Sequence, residues 1–68
     1  PKEYNILLLF VHNPNVALYR ETIYERVWGE EFEYGTKTVD LHIQRLRKKV
    51  GWEKILKAVN KVGYRLEV

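Results

Sequence analysis

The chain has 68 residues, 46% hydrophobic and 31% charged, with no cysteine, which is enough for one small domain with a marginal core. No apolar run approaches the roughly 18 residues of a membrane span, no signal-peptide pattern is present, and thiol chemistry is excluded, so the expectation is a cytoplasmic protein with no membrane partner. A net charge of +3 hints at a polyanionic partner, and its distribution says more. Residues 1–36 hold three basic residues against six acidic ones, a net −3, while residues 37–68 hold nine against three, a net +6. An anion should bind the second half.

The opening "PKEYNILLLFVHNP" predicts a helix, with Pro1 at its first position, Glu3 at the positive end of the dipole and Pro14 forcing a stop near Asn13. Two apolar stripes run along it. Tyr4, Leu7, Leu8 and Val11 are expected to face the core. Ile6, Leu9 and Phe10 lie on roughly the opposite side, where no later element is free to cover them, so they are expected to be exposed or covered by a neighbouring molecule. "VAL" at 16–18 suits a short strand. "YRETIYERVWG" predicts a second helix with Ile23, Tyr24, Val27 and Trp28 facing inward and Gly29 ending it. "EEFEYGT" is an acidic, aromatic-bearing loop. Thr36 is expected to cap a third helix that Gly51 ends. "ILKAV", the turn "NKVG" and "YRLEV" then predict a β-hairpin, to which the strand at 16–18 can add a third strand. No repeat or linker is present. The order is that of an α+β winged helix-turn-helix: three helices, a short strand and a C-terminal hairpin wing.

The third helix, "TVDLHIQRLRKKV", answers the charge question. Val39, Ile43, Leu46 and Val50 recur at steps of four, three and four and form the core anchor. Leu41, Gln44, Arg45 and Lys48 lie roughly opposite, flanked by Asp40, Arg47 and Lys49. A helix anchored on one face and basic on the other can enter a major groove. Arg45 can fork onto guanine, Gln44 onto adenine, Leu41 can meet a thymine methyl, and Lys48 suits phosphate. A membrane-surface helix would need its apolar face free, whereas this one is committed to the core. The bland alternative is a solvated charged face. The hairpin cations Lys57, Lys61 and Arg65 weigh against it, with Lys61 at the tip, although a turn lysine also serves solubility alone.

"PKEYNILLLF", "RETIYERVWG", "TKTVDLHIQRLRKKV" and "VGYRL", in this order over essentially the whole chain, resemble the C-terminal effector domain of OmpR/PhoB-type two-component response regulators. The resemblance implies a DNA-binding transcription regulator controlled by phosphorylation of a separate receiver domain and binding tandem half-sites as a dimer. It implies the helix over 36–50 in the major groove, the hairpin over 55–68 at the adjacent minor groove, and Leu41, Gln44 and Arg45 facing bases. By the same resemblance, Trp28, Lys37, Thr38, His42 and Arg47 touch phosphates, and the loop Glu30, Glu31, Phe32, Glu33, Tyr34 is a candidate RNA polymerase contact. That loop is otherwise simply solvated, Trp28 a core residue and His42 a packed, hydrogen-bonded histidine.

The family's usual four-stranded N-terminal sheet is absent, so an N-terminally truncated domain is expected. Its common Arg-Gly pair at the hairpin tip is Asn60-Lys61 here, which transfers the wing contact to these residues, and its small hydroxyl cap on the second helix is Tyr19. Nothing suggests an enzyme, a cofactor or a metal site: His12 and His42 lie far apart with no paired carboxylate or Gly-rich phosphate motif beside them. The alternative function is a winged-helix module binding an acidic protein surface. It would favour exposed aromatics on the third helix, and that face has none.

Overall fold

A computed structural model describes all residues, Pro1–Val68. Helix α1 (Lys2–His12) leads through a turn into strand β1 (Leu18–Tyr19) and directly into helix α2 (Arg20–Trp28). A loop joins α2 to α3 (Thr38–Val50), and strands β2 (Leu56–Val59) and β3 (Gly63–Leu66) form the hairpin. The sheet is antiparallel in the order β1-β3-β2, with Leu18 opposite Tyr64 and Val59 opposite Gly63. The predicted third strand is therefore present, but it forms at Leu18–Tyr19 rather than 16–18, because the hydrogen-bonded register with β3 begins only there.

The nine buried apolar residues form one cluster. Ile6 and Phe10 come from α1, Ile23 from α2, Val39, Ile43 and Leu46 from α3, Leu56 from β2, and Tyr64 and Leu66 from β3. Both glycine stops hold: Gly29 and Gly51 sit in the left-handed region (φ 73° and 71°) directly after α2 and α3.

Three expectations are corrected. The inward face of α1 is the opposite of the one expected. Ile6 and Phe10 are fully buried and Leu9 packs against the core, whereas Tyr4 and Val11 are about half exposed. At 100° per residue, the arc from Leu9 through Ile6 and Phe10 to Leu7 spans about 160°, so one wide face takes residues from both stripes. Turning Phe10 inward buries a large ring with no hydroxyl to satisfy, which Tyr4 would have required. No apolar stripe of Ile6, Leu9 and Phe10 is left uncovered. Second, Val50 lies at 40% exposure on the last turn of α3, beyond the reach of the core. Third, α3 begins at Thr38 with Lys37 at the cap position and no side-chain cap; the Thr36 hydroxyl is buried without a partner. On α2, only Ile23 is fully buried, while Tyr24, Val27 and Trp28 pack against the cluster from its edge.

Gly63 is where the sheet closes. A Cβ built on it would lie 2.1 Å from the Leu18 carbonyl oxygen and 3.0 Å from the Arg20 nitrogen. Gly63→Ala is expected to push β1 off the sheet and cost about 2–4 kcal/mol in urea unfolding. On α1, Phe10→Ala should cost about 3–5 kcal/mol, against less than about 0.5 for Val11→Ala, which a pair of denaturation curves resolves.

Candidate nucleic-acid interface

Helix α3 rests on the core through Val39, Ile43 and Leu46, so the other side is presented outward. Leu41, Gln44, Arg45 and Lys48 are all exposed there, Leu41 at 56%, high for a leucine next to a hydrophobic core. The backbone ladder of α3 starts with the Leu41 N–H donating to the Lys37 carbonyl at 2.9 Å. The N–H groups of Thr38, Val39 and Asp40 precede that ladder and, with no side-chain cap, form a positive helix end.

One internal carboxylate fixes the start of α3. Asp40 accepts the Arg20 Nε–H at 2.9 Å and also the Tyr64 hydroxyl, joining α3 to the start of α2 and to β3. The Arg20 guanidinium also lies over the Tyr64 ring, 5.2 Å from its centroid. Burial of Asp40 opposes its charge, but the hydrogen bonds from Tyr64 and Arg20 and the charges of Arg20 and Lys37 outweigh it and hold the carboxyl below its usual value. Burial, then the bond to Asp40, raises Tyr64. Sequence periodicity put Asp40 only at the edge of the outward face and gave no sign of this cluster, whose members lie 20 and 24 residues from it.

The proposed contact residues fall into separate groups. Lys37 and Lys61 open onto the same groove, between the start of α3 and the hairpin tip, with Arg20 and Thr36 also on its wall. Lys61 stands in the left-handed region (φ 63°), in a turn closed by the Val62 N–H on the Val59 carbonyl; Asn60 beside it is exposed. On the opposite flank, Trp28 stacks on Tyr24 (4.8 Å between centroids, 9° between planes) and meets the His42 ring edge-on at 5.1 Å. Lys2 lies over the same indole at 5.6 Å. The alternative reading of His42 as a packed, hydrogen-bonded histidine holds only for the packing: its Nδ1 is buried with no hydrogen-bond partner, 3.9 Å from Glu3.

Several cations are held within the chain. Lys49 Nζ is 2.7 Å from Glu3, Lys57 is 3.3 Å and Arg65 2.8 Å from Glu67, and Arg47 donates to the Glu53 carbonyl at 2.9 Å. The loop from Glu30 to Tyr34 is tied to α2 by the Phe32 N–H on Glu25 (3.4 Å) and the Tyr34 hydroxyl on Glu21 (3.0 Å), leaving Glu30, Glu31 and Glu33 exposed. No helix is long and apolar enough to cross a membrane.

Three helices, a short strand and a hairpin beside an outward basic helix define the class: a winged helix-turn-helix. Residues 1–66 match the family described as "Transcriptional regulatory protein, C terminal", and the chain belongs to that family. It is 47% identical over 66 residues to the regulatory protein VanRB of Enterococcus faecalis, covering 97% of this chain and 30% of that protein. Among solved structures, it superposes on the DNA-binding domain of Bacillus subtilis CssR with a TM-score of 0.80 at 38% identity, over 96% of this chain and 73% of that one. The Klebsiella pneumoniae RstA DNA-binding domain, solved with the RstA box, superposes with a TM-score of 0.90 at 21% identity, over 97% and 69%, and shares the fold.

The Asp40 cluster gives a pH dependence with a definite sign. A lowered Asp40 contributes stability that is complete above its unfolded value near 3.9 and is lost as pH falls through the folded value. A raised Tyr64 contributes stability that is complete below about 10 and is lost as pH rises through its folded value. Asp40→Asn should flatten the acid limb of a stability–pH curve, leaving the share of Glu3 and Glu67, whose carboxyls are also lowered. Tyr64→Phe should flatten the alkaline limb, leaving the share of Tyr24 and Tyr34, whose hydroxyls are also raised. Urea unfolding at stepped pH measures both.

Proposed function

We propose that the chain binds double-stranded DNA in a sequence-dependent manner, as the cytoplasmic output domain of a phosphorylation-controlled response regulator. The observation that carries this reading is the outward face of α3, where Leu41, Gln44, Arg45 and Lys48 stand exposed on a helix whose other face is locked into the core. Leu41, Gln44 and Arg45 read base edges in the major groove. The uncapped helix end at Thr38, with Lys37, receives a backbone phosphate. Lys48, Arg47, and Trp28 with His42 hold neighbouring phosphates, and Asn60 and Lys61 bring the wing to the minor groove. Relatives named as a regulatory protein and as a DNA-binding domain support the reading.

The chain spans about 30% of the length of the curated relatives it matches. A receiver domain elsewhere in the parent protein, dimerisation on paired half-sites, and contact of Glu30–Tyr34 with RNA polymerase therefore belong to the proposal for the whole protein. A protein-binding module is the second reading; the absence of any aromatic on the outward face of α3 counts against it.

Affinity and specificity should separate in anisotropy titrations. Of the candidate phosphate cations, Lys37, Arg47, Lys48 and Lys61 have no carboxylate partner, whereas Lys49 and Lys57 do. Four phosphate contacts predict log K falling against log salt with a slope of about −3.6. Arg45→Ala should cost about 1–3 kcal/mol on the preferred site and relax choice at one base, while Lys37→Ala should weaken every duplex alike and flatten the slope by about one. A slope near zero excludes DNA binding.

A further inference from the structure

Glu3 is an acidic side chain set beside the cations of α3, on the flank of the proposed interface that α1 packs against. It lies in the first turn of α1, only 20% exposed, with one carboxylate oxygen 2.7 Å from Lys49 Nζ and the other 3.9 Å from His42 Nδ1. Residues 42, 45 and 49 form a single stripe along α3, and the Arg45 charge also acts on Glu3. The hydrogen bond from Lys49 holds the Glu3 carboxyl below its ordinary range, so it is ionised at neutral pH. Sequence alone assigned this residue to the helix dipole, a role that needs no partner on α3.

We propose that Glu3 is a positioning residue that competes with a DNA phosphate for Lys49, withholding one cation from the interface and so setting the number of phosphates the domain neutralises. This rests on the DNA-binding reading above. The geometry separates it from a chance surface pair. Lys49 is two-thirds exposed and has reach to spare, yet its ammonium is held against a carboxylate anchored on a different helix, one turn from Arg45. A phosphate that approaches Lys49 at this ion pair also meets the Glu3 charge and is repelled by it. The effect is blind to base sequence, because neither residue belongs to the base-reading set.

The test is a set of anisotropy titrations on two unrelated duplexes with the wild-type chain, Glu3→Gln, Lys49→Gln and the double variant, from about 50 to about 200 mM salt, with thermal melts confirming the fold. Glu3→Gln should bind both duplexes more tightly and steepen the slope by about 0.9, so that its advantage over wild type is about 3.5-fold larger at the low-salt end. Lys49→Gln should keep the wild-type slope, and in that background Glu3→Gln should no longer steepen it. A Glu3→Gln slope equal to wild type, or a Lys49→Gln slope flatter by about one, overturns the proposal. A wild-type chain with no salt-dependent binding overturns the DNA reading itself, and the competition with it.

Discussion

The Asp40 carboxylate is the constraint on which the orientation of α3 depends. The apolar contacts of Val39, Ile43 and Leu46 hold the helix down, but greasy contacts are non-directional and would tolerate rotation or sliding. Hydrogen bonds from Arg20 and Tyr64 to one oxygen are directional, and they reach α3 from two different elements. Each member of the cluster needs the others. An Asp40 partly out of water without its donors would carry the desolvation cost of an unmatched charge, so loss of one partner costs more than the bond itself. Gly63 belongs to the same chain of causes. Its missing Cβ lets β1 close on β3, which delivers Arg20 directly into α2 at the spot where Asp40 waits.

Charge is organised by what it is paired with, more than by how much there is. Glu67 takes both Lys57 and Arg65 on the outer part of the hairpin, Glu3 takes Lys49, and the Glu53 carbonyl takes one arm of Arg47. Lys37, Lys48 and Lys61 are left without carboxylate partners along the face that the core-bound side of α3 dictates. Exposed ion pairs of this kind add little to stability. On the proposed reading their larger effect is on which cations are free for a phosphate, so a count made from sequence alone would overestimate the footprint.

What was legible in the sequence follows from the range of the interactions involved. The faces of α3 could be assigned because Val39, Ile43 and Leu46 repeat at helical spacing against polar neighbours, and its end because Gly51 supplies a left-handed residue. The hairpin could be placed because β-branched and aromatic runs flank a short turn. The inward face of α1 could not, since seven of its eleven residues are apolar and both stripes satisfy the helical period; only the shape of the core chose Phe10 over Tyr4. Thr36 was the obvious cap by residue type, yet Lys37 takes the cap position one residue later and the Thr36 hydroxyl is buried without a partner. The Arg20–Asp40–Tyr64 cluster and the Glu3–Lys49 pair join residues far apart in the chain, and periodicity carries no information about such pairs. The residue types on the outward face were legible one by one; the pairings that decide which of them are free were not.

The hairpin tip shows how local stability and the proposed function pull apart. A four-residue turn with positive φ at its third position ordinarily places glycine or asparagine there, and Lys61 holds that position at φ 63°. A lysine in the left-handed region costs about 1–2 kcal/mol relative to its preferred conformation, and glycine would relieve most of that. The neighbouring Asn60 would tolerate the conformation better but brings no charge. Nothing within the chain rewards the lysine, since its ammonium has no carboxylate partner and opens onto the groove it shares with Lys37. Strain at a position that gains no internal contact is a reason to look for a contact outside the chain. A phosphate lying between the start of α3 and the wing tip is the contact that the proposed orientation on DNA supplies, and it gives the Lys61 charge the counterion that the folded chain withholds.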